Sequence, residues 1–267
     1  MAQGGDRSPA SPARKWTPIT TSEDLSVVTS QSEKTIAVIV GRAGSKGLPG
    51  KNSLPLGGRP MILHSIDHAL NSRHVDRVIV STDGDEIAEA ARSVGVEVVI
   101  RPPLLASDQA SIDAAVRHAI ESIGAPHEQV VILYANVPIR PHDLIDRAVE
   151  HLMDTEADSV QSYEPVGKRH PWWMISLNES SQVTPWKRNN VYRRQDLPPA
   201  YFPDGGVIAV RREALFTVDP ESPHAFLGRD RQGIVNNIGD VVDVDDEIDL
   251  IVAEAKLQSA LGSRAGA

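Results

Sequence analysis

The chain has 267 residues and a mass of 28.9 kDa, enough for one large domain with a conventional hydrophobic core. It contains no cysteine, which excludes disulfides, thiolate-bound zinc, iron–sulfur clusters and thiol nucleophiles. Acidic residues outnumber basic ones by 36 to 27, for a formal charge of −9, and this balance argues against a protein that binds the nucleic-acid backbone.

Residues 1–33 differ in composition from the rest of the chain. They are rich in Ser, Pro, Thr and Gln and show neither a helical nor a strand period, so we predict a disordered N-terminal tail. No apolar stretch follows its basic residues, and no run of about 18 apolar residues occurs elsewhere, so neither a secretory signal nor a membrane span is expected. A cytoplasmic protein without a membrane partner is therefore predicted.

From Thr35 onward, short apolar runs alternate with segments of helical period. Continuous apolar runs are typical of strands that are covered on both faces of a parallel sheet. The alternation predicts an α/β fold with a mostly parallel sheet. The predicted strands lie at residues 36–40, 78–80, 96–100, 130–133, 159–163, 207–210 and 241–244.

Signals at helix ends agree with this pattern. Ser111 and Asp83 are predicted to cap the N-termini of two helices, although a metal-binding role for Asp83 stays open. Gly95 stands where a left-handed residue ends a helix. A further helix is predicted over residues 143–155. The last helix is predicted over residues 247–261, with these residues facing inward: Ile248, Ile251, Val252 and Ala255.

One segment interrupts the alternation. Seven of the eleven aromatic residues lie between Tyr163 and Phe202. We predict an insertion at about residues 164–203 within a domain that spans residues 34–262, followed by a short tail at residues 263–267. Clustered Trp, Tyr and Arg are typical of interfaces and of pockets for carboxylated ligands. A small separate core with a basic rim is the alternative.

The loop at residues 41–52 follows the first strand, at the edge of the sheet where open α/β folds bind ligands. It combines four glycines with Arg42, Lys46 and Lys51. Glycines let backbone N–H groups approach an anion, and the cations offset the charge of a triphosphate, so a polyphosphate ligand is predicted. The loop matches neither the Walker A nor the dinucleotide fingerprint. An exposed basic turn is the alternative.

Two acidic residues, Asp243 and Asp245, lie at the end of the last predicted strand. Alternation puts both carboxylates on one face, an arrangement that suits Mg²⁺ with phosphate oxygens and waters as its other ligands. The alternative is an acidic start to the last helix, which the helix dipole favours. We expect the basic loop and this acid pair to converge on one nucleotide.

The basic loop, from Arg42 through Ser45–Pro49 to Lys51–Asn52, resembles the signature of the CMP-sialic acid synthetases, also called acylneuraminate cytidylyltransferases. The resemblance continues in collinear order over about residues 35–257. The matching stretches are Ser81–Asp83, Arg101–Pro102, Leu105–Asp108, Pro138–Arg140, Arg194–Pro198, Asp204–Gly206 and Asp243–Asp245.

This resemblance implies a fold and a reaction. The fold is a Rossmann-like nucleotidyltransferase, a three-layer α/β structure with a mostly parallel sheet and an inserted dimerisation segment. The reaction uses CTP and Mg²⁺ to form a CMP-sugar acid and pyrophosphate. The expected partners are CTP, a carboxylated sugar and a second copy in a homodimer.

The resemblance also implies roles for individual residues. The residues implied to contact the triphosphate and the nucleotide are Arg42, Ser45, Lys46, Lys51 and Asn52. Cytidine-side contacts fall on Arg101 and Ser111, and metal ligands on Asp243 and Asp245. Acceptor contacts fall on Tyr134, Lys168, Arg194 and Gln195. The catalytic set is Arg42, Lys46, Lys51 and Asp245.

Departures from the family pattern affect the acceptor side most. Tyr134–Val137 stands where the family usually has Gln-Pro-Thr-Ser, and Asp204 stands in place of Asn, which adds negative charge where an acidic acceptor approaches. The acceptor is therefore left open between a sialic-acid-like nonulosonic acid and another carboxylated sugar. The alternatives are a metal-dependent glycosyltransferase and a catalytically idle nucleotide-binding protein.

Overall fold

The computed structural model describes residues 34–45, 47–124 and 126–265, with side chains described up to residue 260. The predicted tail at residues 1–33 and the predicted phosphate contact Lys46 lie outside the described residues.

Within these residues the chain forms eleven β-strands and seven α-helices. The strands are β1 (Thr35–Val40), β2 (Pro55–Leu56), β3 (Arg59–Pro60), β4 (Arg77–Thr82), β5 (Glu97–Ile100), β6 (Gln129–Tyr134), β7 (Ser159–Pro165), β8 (Ile175–Leu177), β9 (Val183–Pro185), β10 (Tyr201–Arg211) and β11 (Arg231–Val235). The helices are α1 (Ile62–Leu70), α2 (Asp85–Ser93), α3 (Pro103–Ala106), α4 (Ile112–Ile123), α5 (Leu144–Thr155), α6 (Arg212–Leu215) and α7 (Glu247–Ala265).

Seven strands form the main sheet, in the order β11-β7-β10-β6-β1-β4-β5. Strands β5, β4, β1 and β6 run parallel to one another, and β10 is antiparallel to both β6 and β7. Helices cover both faces: α1, α2 and α5 pack on one side, and α4 and α6 on the other. The predicted three-layer α/β fold with a mostly parallel sheet is therefore confirmed.

Continuous burial explains the apolar runs. All six residues of β1 are buried, with Ala37 and Ile39 in one cluster and Ile36 and Val38 in the other. A central parallel strand needs apolar side chains on both faces, which removes the alternation that a half-exposed strand shows. The signals at two helix ends are also confirmed. Ser111 caps α4 by accepting from the Ala114 N–H, and Gly95 has φ +78°.

A third, smaller hydrophobic cluster lies at the edge of the fold. It joins the β2–β3 hairpin to α7 through Leu56, Met61, Val244 and Ala253, and Leu48 of the basic loop packs against it. The predicted inward face of α7 is wrong: Ile248 and Ile251 are 69% and 67% exposed, and Val252 and Ala255 are also exposed. Helix α7 carries two apolar stripes, and only the position of the small cluster determines which one is buried.

The predicted strand at 241–244 is also wrong. The segment makes a single bridge, between Ile139 and Val242, and the strand that extends the sheet is β11, which pairs with β7. Strand β11 was not predicted because Arg231, Gln232 and Gly233 interrupt its apolar pattern. Val242 and Val244 are nevertheless buried, since they pack under α7 instead of in the main sheet.

The aromatic-rich segment forms an arm. Strands β7 and β10 continue to pair as far as Pro165 and Tyr201, and β8 and β9 form a separate hairpin. Among residues 166–200, all of which the structure describes, only His170 is buried. The alternative of a separate small core is therefore wrong. No described helix combines the length and apolar character that a membrane crossing needs.

Candidate active site

Three neighbouring strands end level with one another at the carboxyl edge of the sheet. Val40 of β1 pairs with Tyr134 of β6 on one side and with Ser81 of β4 on the other. The loops that follow these strands therefore meet. They enclose a cavity of about 270 Å³, whose lining includes seven of the predicted site residues: Arg42, Ser45, Lys51, Asn52, Arg101, Ser111 and Tyr134.

The basic loop is held close to the sheet by contacts that require small residues. A Cβ atom on Gly41 would lie 2.8 Å from the Ala135 Cβ. Asn52 is buried and its Nδ2 donates to the Arg42 carbonyl at 2.9 Å, which fixes the two ends of the loop. Among the described residues, no group hydrogen-bonds the buried Oδ1 atom of Asn52, a residue that lines the cavity.

The basic loop and the acid pair converge, as expected. Lys51 Nζ lies 2.5 Å from Asp245 Oδ1, although 194 positions separate the two residues. A Cβ atom on Gly47 would lie 2.6 Å from the Asp245 carbonyl oxygen, so the loop packs directly on the acidic segment. The opposite charges therefore belong to one site.

Part of the acidic segment caps the last helix. Asp246 Oδ1 accepts from the N–H groups of Ile248 and Asp249, and Asp249 Oδ2 accepts from the N–H groups of Asp245 and Asp246. This reciprocal pattern is a capping box at the start of α7. The acidic helix start is therefore confirmed for Asp246 and Asp249. The carboxylates of Asp243 and Asp245 take no part in the capping box, and their role as metal ligands stays a prediction.

Asp243 lies in an environment that disfavours its charge. Burial, and then the neighbouring Asp245 carboxylate, raise the pKa of Asp243 to about 6. The Asn136 side chain donates from Nδ2 to Asp243 and lies 3.4 Å from Asp245 Oδ1. Two carboxylates this close favour a cation between them.

Two other carboxylates hold the basic loop. Arg42 forms an ion pair with Asp108 across the cavity, and Asp83 accepts from the Ala43 N–H at 2.9 Å. The predicted capping role of Asp83 is therefore wrong. Helix α2 begins at Asp85 after Gly84, which caps it without a side-chain hydrogen bond. Asp83 fixes the basic loop instead.

Arg101 and Ser111 form the opposite wall of the cavity. Arg101 is buried, and its Nε and Nη2 atoms donate to the Ser81 hydroxyl and carbonyl at 2.9 and 2.7 Å. Burial lowers the pKa of Arg101 to about 10, so it stays charged at neutral pH. Ser111 caps α4 through its hydroxyl.

Of the four residues predicted to contact the acceptor, one lines the cavity and three do not. Tyr134 lines the cavity, and burial followed by the charge of Asp243 raises its pKa. Lys168, Arg194 and Gln195 lie exposed on the arm and do not line the cavity of their own chain. Sequence reasoning did not find Asn136 or Arg140 as site residues; both lie in or beside the stretch that departs from the family pattern.

The Asp204 carboxylate is held by three hydrogen-bond donors, and the expectation that its charge lies where an acceptor approaches stays a prediction. Its carboxylate accepts from the Ser162 hydroxyl at 2.5 Å, the Gly206 N–H at 2.9 Å and the Asn236 amide at 2.7 Å. These donors hold it against the sheet. Ala135 and Val137 are fully buried in the core, so only Tyr134 and Asn136 of the changed stretch line the cavity.

The carboxylates of the site fit a divalent cation whose other ligands are phosphate oxygens and water. Among the described residues no group of three or more His, Asp or Glu side chains could hold a metal ion alone. Magnesium, however, is usually held by one or two carboxylates together with substrate phosphates and water. Asp243 and Asp245 supply two carboxylates beside the cavity, and the ammonium group of Lys51 already occupies a cationic position there.

Comparisons with known proteins agree with this geometry. A sequence model of the family described as cytidylyltransferase matches residues 36–214. The N-acylneuraminate cytidylyltransferase of Streptococcus agalactiae is 35% identical over 183 residues, which cover 67% of this chain and 44% of that protein. The pseudaminic acid cytidylyltransferase of Campylobacter jejuni is 31% identical over 221 residues, which cover 78% of this chain and 93% of that protein.

A solved structure shares the fold. The structure described as CMP:2-keto-3-deoxy-manno-octonic acid synthetase complexed with CTP superposes with a TM-score of 0.66 at 18% identity. The match covers 85% of this chain and 99% of that one. The match covers only 44% of the length of the S. agalactiae relatives, so this chain spans less than half of those proteins. From its matched segment, its fold and its site, the chain belongs to the cytidylyltransferase family, with the acylneuraminate cytidylyltransferases, or CMP-sialic acid synthetases, as its relatives.

Proposed function

We propose that the protein transfers CMP from CTP to a nonulosonic sugar acid and releases pyrophosphate. The observation that carries this proposal is the contact between Lys51 of the basic loop, which lines the cavity, and Asp245 of the acid pair. The relatives named for N-acylneuraminate, pseudaminic acid and N,N'-diacetyllegionaminic acid support this acceptor class.

The cavity offers complementary partners for each part of CTP. Arg42, Ser45 and Lys51 would contact the phosphates, and Lys46 would join them by its place in the loop. Arg101 and Asn52 would contact the nucleoside, with Asn52 Oδ1 accepting a hydrogen bond that no described residue supplies. Arg42 would exchange Asp108 for a phosphate oxygen, since both are anionic partners of the same guanidinium.

The reaction is an in-line displacement. The acceptor hydroxyl attacks the α-phosphorus of CTP and loses its proton to water, the bond to the β-phosphate breaks, and pyrophosphate leaves. Lys51 and Arg42 neutralise the charge that develops on the leaving group, and the rigid loop orients the phosphates. Asp243 and Asp245 would hold Mg²⁺, which when bound supplies charge neutralisation and acidifies the attacking hydroxyl.

The acceptor subsite is proposed to include the arm of a second copy. Lys168, Arg194 and Gln195 carry the polar and cationic groups expected to bind an acceptor carboxylate, yet they do not line the cavity of their own chain. A homodimer whose arms cross to the partner would bring these groups to the cavity. The cytoplasmic location and the absence of nucleic-acid partners stay predictions.

The dimer is expected to form at micromolar concentration. Trp186 and Tyr192 are 74% and 94% exposed on the arm, and burying such side chains is a common source of interface stability. Light scattering of the full chain would show twice the monomer mass. A Trp186→Glu variant should shift the mass toward the monomer, whereas Val218→Glu, an exposed apolar position outside the arm, should not. A monomeric parent protein would contradict the dimer.

The activity itself is tested by measuring pyrophosphate release from CTP with a panel of acceptors: N-acetylneuraminic, pseudaminic, legionaminic and 3-deoxy-manno-octulosonic acids. We expect Mg²⁺-dependent release with at least one nonulosonic acid and none without an acceptor. CTP binding without release for every acid would support the idle nucleotide-binding alternative. Sugar transfer from a nucleotide-sugar, with no release from CTP, would support the glycosyltransferase alternative.

A further inference from the structure

Asn136 bridges the two acids of the site through its side chain. It is the second residue after β6, and its Nδ2 atom donates to Asp243 Oδ1 and lies 3.4 Å from both Asp245 Oδ1 and the Val244 carbonyl. Its backbone carbonyl accepts from the Val244 N–H at 2.8 Å. A single residue is thus bound to three consecutive positions of the acidic segment.

The loop that carries Asn136 is itself fixed from behind. The Tyr134 carbonyl accepts from Arg140 Nη2 at 3.0 Å, and the Ser65 hydroxyl shares its one proton between the Tyr134 and Val137 carbonyls at 3.0 and 3.1 Å. The chain before and after Asn136 is therefore tied to buried groups of the core. The amide is presented to the acids by a rigid support.

Such an amide matters because the two carboxylates repel each other. The Asp245 carboxylate is the like charge that acts most strongly on Asp243. A primary amide carries two N–H donors and no charge, so it can bind both carboxylates without competing as a cation. Lys51 forms an ion pair with Asp245, and its charge also acts on Asp243. Without Asn136, repulsion would turn the Asp243 and Asp245 side chains apart.

We propose that Asn136 is a positioning residue that holds Asp243 and Asp245 at the separation at which both bind one divalent cation. The inference rests on the proposed function, because it concerns the metal that the acid pair would hold. It gives Asn136, in the stretch Tyr134–Val137 that departs from the family pattern, a role that the family resemblance does not imply. Threonine, usual in the family at this position, has one hydroxyl donor in place of two N–H groups.

The test measures Mn²⁺ binding to the parent and to Asn136→Ala in the absence of nucleotide. Electron paramagnetic resonance and calorimetry give the affinities. We expect about a tenfold loss of Mn²⁺ affinity in Asn136→Ala, because removing a supporting partner of metal ligands typically costs about 10–100-fold. In pyrophosphate release, the KM for Mg²⁺ should rise while kcat at saturating Mg²⁺ changes little. CTP binding in EDTA should be unchanged, a result that a general loss of structure would not give.

Two further variants complete the test. Asn136→Ser retains one donor and should give an intermediate affinity. Asn71→Ala removes an exposed amide at the end of α1 and should match the parent. If Asn136→Ala also lowers the unfolding temperature, Asn136→Ser is compared with the parent under conditions in which both are folded. An Asn136→Ser protein with the Mn²⁺ affinity of the parent would overturn the inference.

The outcomes separate this inference from the proposed function. If the parent releases pyrophosphate and Asn136→Ala shows unchanged Mn²⁺ affinity and KM for Mg²⁺, the inference fails and the function stands. If Mn²⁺ binding depends on Asn136 but no acceptor yields pyrophosphate, the function fails and the inference stands. No Mn²⁺ binding by the parent overturns the inference directly.

Discussion

Replacing Asp245 by asparagine is expected to reduce the rate of pyrophosphate release by a factor of about 10²–10³ with little effect on folding stability. The Asp245 side chain is 70% exposed and pairs with Lys51, so the substitution removes a charge from the site without opening a cavity in the core. Turnover at saturating CTP and Mg²⁺, together with thermal unfolding, measures both effects. Full turnover would refute the role assigned to Asp245.

The adjacent residue provides a matched control. Asp246 is also exposed and acidic, but its Oδ1 atom caps α7 by accepting from Ile248 and Asp249. Asp246→Ala is therefore expected to lower the free energy of unfolding by about 1 kcal/mol, as loss of an N-cap does, and to keep most of the activity. The two neighbouring substitutions should thus separate chemistry from stability. Equal losses of activity in both would contradict the division of the acidic segment.

Replacing Arg140 by methionine is expected to lower the free energy of unfolding by about 3 kcal/mol and to abolish turnover. The guanidinium is buried and donates to the Gly206 carbonyl at 2.6 Å, the Ser65 hydroxyl at 3.0 Å and the Tyr134 carbonyl at 3.0 Å. Methionine fills similar space but leaves buried carbonyls without donors. Burial lowers the pKa of Arg140 to about 9, so the group is charged at neutral pH.

Urea unfolding of the variant and the parent measures this effect. Arg193→Met is the control, since that guanidinium is 69% exposed and pairs with Asp196, which is 42% exposed. An exposed ion pair contributes about 0–1 kcal/mol, so Arg193→Met should have a much smaller effect. A stable and fully active Arg140→Met protein would show that the loop after β6 does not need its buried support.

The sequence alone predicted the α/β class and six of the seven strands of the main sheet. Strands such as β1 are recognisable because each is buried on both faces, which makes its composition apolar throughout. The basic loop could be placed at the carboxyl edge because the order of strands and helices fixes where a loop after β1 emerges. Ser111 and Gly95 marked helix ends because capping depends on a few neighbouring residues.

What the tertiary structure decided depends on partners that are distant in the chain. Asp83 has the residue type and the position of a helix cap, yet its carboxylate accepts from the Ala43 N–H, 40 positions away. Helix α7 carried two apolar stripes, and the location of the third cluster selected the one that is buried. Strand β11, with polar residues and a glycine, forms because β7 offers it an open edge.

The same distinction applies to the site. Residue types and their order determined that a basic loop and an acid pair exist, because charge and glycine content belong to local segments. Only the folded chain separated Asp243 and Asp245 from the capping residues Asp246 and Asp249, and brought Asn136 between the acids. The place of Asn136 between the acids depends on hydrogen bonds between segments more than 100 positions apart, and no local pattern contains that information.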